Sequence, residues 1–376
     1  MNMRSEREAA GSFKLIFAGG GTGGHLFPAL ALAQEFKRID PGVEVVFIGG
    51  RGGLEEKIVP GYGYPLKLLN VEGIKRRSGM QRLRALGKAF KATVEAVGIL
   101  RSIKPDGVIG SGSYSSAPVV TAAKLLGIRT AILEQNALPG LTNRVLGKLV
   151  DRIYISFEEA RGYFPGGRTV LSGNPIRREI LESRGELEEE EAAGAEKFSI
   201  LVFGGSQGAT AINAAFLDST EYLTDIWNSL RVVHQTGEEG FEGVKAAYKR
   251  KGLKVELYRF IDDMGGAYRS ADLAVCRAGA TSIAEMTAMG LPSILIPYPF
   301  ASDDHQTVNA RCLADKGAAV MIRQDNLTGS ALAGALRKLY KDRKEFKAMG
   351  AAAKAFGKPG AAEMIAGNFL KALKKK

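Results

Sequence analysis

Twice in this chain a short apolar run breaks into a loop made mostly of glycine and resumes as a helix-forming stretch: KLIFAGGGTGGH (14–25) and FSILVFGGSQGATAIN (198–213). A buried strand that turns straight into a helix needs backbone that tolerates φ > 0 and lets a ligand or a neighbouring segment approach closely, and glycine supplies both. A second opening of the same kind so far along the chain asks for a second sheet. The length, 376 residues, is enough for two cores of ordinary size.

Around the two loops, strand-like runs alternate with helical stretches. VEVVFIG (43–49), DGVIGSG (106–112), TAILEQN (130–136) and RIYISF (152–157) follow the first loop. RVVHQTG (231–237), KVELYRFI (254–261), DLAVCRAG (272–279) and PSILIPYP (292–299) follow the second. That alternation predicts an α/β protein with parallel sheets flanked by helices. The acidic stretch ESRGELEEEEAAGAEK (182–197) reads as a linker or a solvated helix. Two Rossmann-like domains in tandem are expected, residues 12–174 and 175–357, with the helical tail 358–376 packing back across the junction to complete the first.

Composition narrows the class. With 45% hydrophobic and 24% charged residues the chain is expected to be a soluble globular protein. The opening MNMRSEREAAGS is charged without an apolar centre, so it reads as an extension and not as a signal peptide. No apolar run approaches the ~18 residues that a spanning helix needs. Cys276 and Cys312 lack metal-ligand spacing and fit idle thiols of a reducing, cytosolic compartment. The net charge of +12 asks for an anionic partner: nucleic acid, a membrane surface or a phosphorylated substrate.

In the first loop Gly19, Gly21 and Gly24 formally satisfy G-x-G-x-x-G, but so glycine-rich a stretch matches almost automatically. The next strand ends in Gly49, Gly50 and Arg51 instead of the acidic residue that would hold a dinucleotide ribose. His25-Leu26 stands where a P-loop needs Lys-Ser/Thr. What remains is bare backbone at the carboxyl edge of a sheet, Pro28 in the first helical turn, and His25 between loop and helix. An imidazole there either bonds the loop backbone or moves a proton, and the residues leave both open.

The second half carries polar residues at three successive strand ends. The turn GGSQGA (204–209) offers backbone N–H groups and the Ser206 hydroxyl to a phosphate. In CRAGATSIAE (276–285), Gly279 permits close approach, and Glu285 sits about one turn into the helix, where it can accept bonds from vicinal hydroxyls or cap its own helix. In PYPFASDDHQTVNA (297–310), Asp304, His305, Gln306 and Asn309 suit sugar hydroxyls; the plainer alternative is an N-cap by Asp303 or Asp304. The chain has no D-x-D and no metal-spaced cluster, so a diphosphate would rely on backbone dipoles, Ser206 and Arg177 of SGNPIRRE (172–179).

Taken together, GGTGGHLFPALALA, GSGSYSSAP, LEQNALPGLTNR, GNPIR, FGGSQGA, FIDDM, CRAGATSIAE and DDHQTVNA, in that order from 20 to 310, resemble the MurG family of peptidoglycan glycosyltransferases. The resemblance implies the GT-B fold, two Rossmann-like domains facing across a cleft. It implies inverting transfer of GlcNAc from UDP-GlcNAc to the MurNAc 4-hydroxyl of lipid I, making lipid II, with no cofactor. On the donor side it implies Glu285 at the ribose, Ile261 and Met264 at the uracil, and Ser206, Arg177 and Gly279–Ala280–Thr281 at the diphosphate. It adds His305, Gln306 and Asn309 at the GlcNAc hydroxyls, with Gln207, Gly208, Thr22, Gly23, Gly24 and Asn136 completing the donor set. For the acceptor it implies Thr22, His25, Tyr114, Glu134 and Asn136, with His25 as general base and Glu134 in reserve. Many members of the family have a glutamine where this chain has His305.

One further stretch bears on partners. Residues 75–104 carry nine basic side chains against Glu95 alone. Leu83, Leu86, Phe90, Val94 and Val97 recur at helical spacing and are expected to face the core, while Lys75, Arg76, Arg77, Arg82 and Arg84, with Ile74 and Met80, lie against an anionic bilayer. The expected partners are thus UDP-GlcNAc, lipid I and the cytoplasmic face of the membrane through 74–104, and no nucleic acid. Two rivals stand beside this reading: a UDP-GlcNAc 2-epimerase of the same fold, and a non-catalytic adaptor for membrane or nucleic acid.

Overall fold

A computed structural model describes residues 13–71, 80–185, 197–205 and 207–374, with the backbone alone for 80–86 and 184–185. The N-terminal extension, Ile74, Lys75, Arg76, Arg77, most of the acidic stretch and Ser206 lie outside the described residues, as do the side chains of Met80, Arg82, Leu83, Arg84 and Leu86. The chain divides into two compact units, residues 1–177 with 360–376, and residues 178–359.

The first unit is built on seven parallel strands: β1 (Lys14–Ala18), β2 (Glu44–Gly50), β3 (Leu66–Leu69), β4 (Gly107–Gly110), β5 (Arg129–Glu134), β6 (Arg152–Ile155) and β7 (Thr169–Leu171). Their order is β3-β2-β1-β4-β5-β6-β7. β1 reads as an unbroken apolar run because both its faces are covered. Leu15 and Phe17 point into one core with Phe36, Phe47 and Phe369, while Ile16 and Ala18 point into the other with Ile48, Leu100 and Val120. In register, Phe17 lies beside Phe47 with ring centroids 5.3 Å apart. The helix Ala361–Lys374 packs on the helix Gly23–Ile39, where the Phe36 and Phe369 rings meet edge-on and the Tyr154 hydroxyl donates to Asn368 Oδ1 at 2.8 Å.

The second unit has six parallel strands: β8 (Phe198–Phe203), β9 (Leu230–Gln235), β10 (Glu256–Tyr258), β11 (Leu273–Cys276), β12 (Ser293–Leu295) and β13 (Ala319–Met321). Their order, β10-β9-β8-β11-β12-β13, repeats that of the first unit short of one edge strand. In each sheet the order reverses beside the first strand, between β1 and β4 and between β8 and β11. Loops leaving the carboxyl ends of strands at such a reversal diverge to opposite faces and leave room for a ligand.

The apolar stripe expected to face the core is turned outward at two of its positions. In the helix Met80–Ile103, Phe90 is 73% and Val94 57% exposed, so neither belongs to a core-facing stripe. Ala92, Ala96 and Leu100 turn inward instead, with Val97 partly buried beside them. Small residues at that spacing let the helix lie close to its neighbour Ser116–Leu125 and push the larger apolar side chains outward.

Candidate functional site

In the first unit the polar groups gather at the ends of β1, β4 and β5. His25 lies in the first turn of the helix Gly23–Ile39 and is half-buried. Its Nδ1 is 2.9 Å from the Ser111 carbonyl oxygen and 3.3 Å from Gln135 Oε1. The Gln135 amide donates from Nε2 to the same carbonyl at 2.8 Å, which turns its oxygen towards the imidazole. Both atoms facing Nδ1 are acceptors, so the proton sits on Nδ1 and the lone pair on Nε2. The backbone bond and a proton-accepting Nε2 are therefore compatible, since the one sets up the other. A Cβ on Gly112, whose φ is +95°, would fall 2.8 Å from the ring, so only glycine lets this loop run against the imidazole.

Glu134, at the end of β5, is 2% exposed. Its Oε1 accepts the Asn136 N–H and its Oε2 accepts the Asn143 amide, both at 2.9 Å. Burial drives its pKa up to about 7, against the pull of bonds from Asn136, Asn143 and Gly140. This carboxyl braces the loop that carries Asn136. Thr22 is exposed at the N-cap position, with no side-chain cap bond, and Gly23 and Gly24 begin the helix. Tyr114 is 45% exposed beside Ser113, a non-glycine residue at φ 68°. Arg177 belongs to this unit, its guanidinium 4.8 Å above the Phe27 ring of the same helix as His25.

In the second unit Gly208 sits at φ +77° in a turn pressed against the loop after β9, where a Cβ would collide with the Thr236 backbone, and Gln207 is exposed beside it. Glu285 is 3% exposed in the helix Ala280–Met289, and the Tyr268 hydroxyl donates to its Oε2 at 3.0 Å. Gly279 is the N-cap residue of that helix, Ala280 is its first residue and Thr281 is half-buried. Buried Ile261 donates its N–H to Gln235 Oε1 at 2.9 Å, and Met264 opens the next short helix, capped by Asp263.

The last strand end divides the predicted residues. Gln306 Oε1 accepts the Tyr298 N–H at 3.0 Å, and His305 Nδ1 donates to the Ser302 carbonyl at 2.8 Å. Asn309 is fully buried with its amide on the Ala278 carbonyl, which ties this helix to the loop after β11. Asp303 and Asp304 both hold left-handed φ, 57° and 54°. Asp304 occupies the N-cap position of the helix His305–Ala314 without a side-chain cap bond, and accepts the Thr307 hydroxyl instead. Two consecutive strained aspartates are of the kind found at ligand-binding turns.

Sequence reasoning missed several members of these networks. Arg277 was passed over inside CRAG, yet its guanidinium holds the carbonyls of Ile296 and Pro297 and the Gln324 side chain, and burial lowers its pKa. Gln135 and Asn143 lay within the quoted LEQNALPGLTNR without being singled out. Glu55 carried one signal, the glycine pairs on its N-terminal side.

Comparison with known proteins gives these sites a class. The glycosyltransferase family 28 N-terminal domain matches residues 15–155, and the glycosyltransferase family 28 C-terminal domain matches residues 199–365. A Myxococcus xanthus protein named UDP-N-acetylglucosamine–N-acetylmuramyl-(pentapeptide) pyrophosphoryl-undecaprenol N-acetylglucosamine transferase is 49% identical over 94% of this chain and 91% of its own length. A Syntrophus aciditrophicus protein of the same name is 48% identical over 94% of this chain and 96% of its own. The crystal structure of Acinetobacter baumannii MurG superposes with a TM-score of 0.78 at 30% identity, covering 97% of this chain and all of that one. The chain belongs to the MurG family of glycosyltransferases. A putative UDP-N-acetylglucosamine 2-epimerase from Listeria monocytogenes shares the fold, with a TM-score of 0.69 at 12% identity over 97% of this chain and 98% of that one.

Proposed function

We infer that this protein transfers N-acetylglucosamine from UDP-GlcNAc to the MurNAc sugar of lipid I, the undecaprenyl-diphosphate-linked acceptor, to make lipid II for peptidoglycan. The observation that carries this is near-half identity over 94% of the chain to relatives named for that reaction. The epimerase reading rests on the fold alone.

The proposed chemistry is one inverting displacement. The acceptor 4-hydroxyl oxygen bonds to the anomeric carbon as the bond to the UDP oxygen breaks, and UDP departs with the electron pair. The hydroxyl proton passes to Nε2 of His25, whose lone pair is set by the bond that Nδ1 makes to Ser111. Glu134 acts in this scheme through Asn136, whose N–H it holds, while Thr22 and Tyr114 offer exposed hydroxyls to the acceptor. For the donor, Glu285 takes the ribose, Ile261 and Met264 the uracil, and Gln306 with His305 the sugar. Ser206, Gln207, Gly208, Arg177 and the start of the helix Ala280–Met289 carry the diphosphate charge, as a metal ion does in other transferases. Among the described residues no group of three or more His, Cys, Asp and Glu is placed to hold a metal ion. Incubation of the full chain with UDP-GlcNAc and a short-chain lipid I analogue tests the reading: transfer of GlcNAc is expected, and conversion of UDP-GlcNAc to UDP-ManNAc without acceptor would replace it.

The same reading places the protein peripherally on the cytoplasmic face of the membrane. No helix among the described residues is long and apolar enough to cross one. Phe90 and Val94, exposed on the helix Met80–Ile103 beside exposed Lys91, give the basic segment an apolar face to set into a lipid surface. Phe90→Glu should reduce binding to phosphatidylglycerol vesicles, and unchanged sedimentation with them would remove the docking proposal.

A further inference from the structure

The glycine-rich first loop has a counterpart in GGRGG (49–53), and one side chain accounts for Gly20 in the first and for Gly49 and Gly53 in the second. Glu55, the first residue of the short helix Glu55–Ile58, is 1% exposed. Its Oε2 accepts the N–H of Gly21, in the loop after β1, at 2.6 Å. Its Oε1 accepts the N–H of Gly50, at the end of β2, at 2.9 Å. A Cβ added at Gly20, Gly49 or Gly53 would run into this carboxyl group. The glycines thus form a cradle, and the carboxylate inside it ties two strand ends together through main-chain donors. Bonds from N–H groups to a charged acceptor are about twice as strong as neutral ones and lose little to solvent when buried.

We propose that Glu55 is a positioning residue for the transfer reaction: by fixing Gly21, it sets the entry of the helix that carries His25 and so the direction of His25 Nε2. Between the two lie only Thr22, whose carbonyl accepts the His25 N–H at 3.2 Å, and Gly23 and Gly24. The Thr22 side chain makes no cap bond, so the helix start depends on the loop before it. On its other side the imidazole is held at Ser111 and Gln135. Glu55 supplies the second anchor, without which rotation of the first turn would carry Nδ1 off its carbonyl. The proposal rests on the transferase reading for its kinetic consequence, though not for its structural one.

The test uses Glu55→Gln in the full chain, which keeps the shape but sets an amide NH₂ against a backbone N–H. With UDP-GlcNAc and a lipid I analogue, kcat should fall ~10- to 100-fold, less than the ~10²- to 10⁴-fold that an acid–base group itself carries. UDP affinity, which rests in this scheme mainly on Glu285, Ile261 and Met264 of the second unit, should stay within about twofold of wild type. Because Glu55 acts through His25, the same substitution made in His25→Ala should cost little further, and an equal loss in both backgrounds would mark Glu55 as merely structural and overturn the proposal. Wild-type kcat in Glu55→Gln would overturn it too. Should Glu55→Gln fail to fold, Gly53→Ala crowds the carboxyl without removing it and should show the same pattern more weakly. Nitrogen NMR of the three histidines supplies a readout that needs no turnover. Wild type should show His25 protonated on Nδ1, and Glu55→Gln a mixture of tautomers. An unchanged His25 spectrum sinks the proposal even if the chain proves to catalyse something else, whereas absent transfer by wild type sinks only the transferase reading.

Discussion

Asp106 Oδ2 accepts the N–H of Lys14 where β1 begins, and Asp272 Oδ2 accepts that of Ser199 near the start of β8, at 2.8 and 2.7 Å. In return Asp106 and Asp272 donate their own N–H groups to the carbonyls of those same residues, at 2.8 and 2.9 Å. The two units thus share a strand order and a pin on the first strand. Their histidines part company. His25 is half-buried with one ring nitrogen on a carbonyl. His234, inside β9, is fully buried between the Tyr248 hydroxyl and Asn213 Oδ1, and burial takes its pKa down to about 3. Backbone pairing sets the frame in both halves; solvent access and the partner of each ring nitrogen decide whether a histidine can exchange a proton at neutral pH.

The largest break in that comparison should come from His25→Ala. At saturating lipid I analogue kcat should drop ~10²- to 10⁴-fold, the usual contribution of a general base, while calorimetric affinity for UDP holds. Glu285→Ala is the reciprocal change. It removes a buried acceptor whose bonds to hydroxyls amount to ~1.5–3 kcal/mol each, so UDP binding should weaken ~10- to 150-fold. If either substitution moves both readouts equally, the division of labour between the units is wrong.

Acid titration separates the units with opposite signs. His234 folds neutral, so the unfolded chain alone takes up a proton as pH falls below 6.5, and its share of stability, complete above 6.5, drains away towards pH 3. Glu134 behaves in reverse. Its folded pKa is raised from 4.5 to about 7, so its share is complete below 4.5 and is lost as pH rises through 7. Each slope is at most about 1.4 kcal/mol per pH unit. Between pH 5 and 6.5 the Glu134 share should therefore pull the urea midpoint of the first unit down as pH rises in wild type and not in Glu134→Gln, while the histidine share raises that of the second unit in both. An equal pH course of the first unit's midpoint in the two proteins would show that Glu134 titrates as an ordinary carboxylate.

Much of this frame was open to inspection in the sequence, because β1, β2, β5, β8 and β9 are apolar runs long enough to announce buried strands. β3, β7 and β13 were not named; each is three or four residues long and at the edge of its sheet, where little apolar patterning is required. The period of the helix Met80–Ile103 says which side chains share a face but not which face is down, and so Phe90 and Val94 were assigned inward. His25, Glu285 and Gln306 could be picked out because they sit in the turns and helix starts that follow strands, whereas Glu134 entered only through the family resemblance. Glu55 and Arg277 could not, since the partners that define them, Gly21 for one and Ile296 for the other, come from neighbouring strand ends.

The smallest effect asks whether the shared pin is equivalent in the two halves. Asp106→Asn and Asp272→Asn each keep the side-chain oxygen but take away its charge, turning a charge-assisted bond into a neutral one. The difference between those two kinds of bond is about 1 kcal/mol. Asp106 and Asp272 each precede the fourth strand of their sheet, so the two substitutions should lower the urea midpoint of their own unit by similar amounts and add when combined. Neither aspartate touches the loops assigned to substrates, so kcat and UDP affinity should hold in both. A loss confined to Asp106→Asn would mean that the likeness of the two units stops at strand order, and that β8 stays in place without the charge on Asp272.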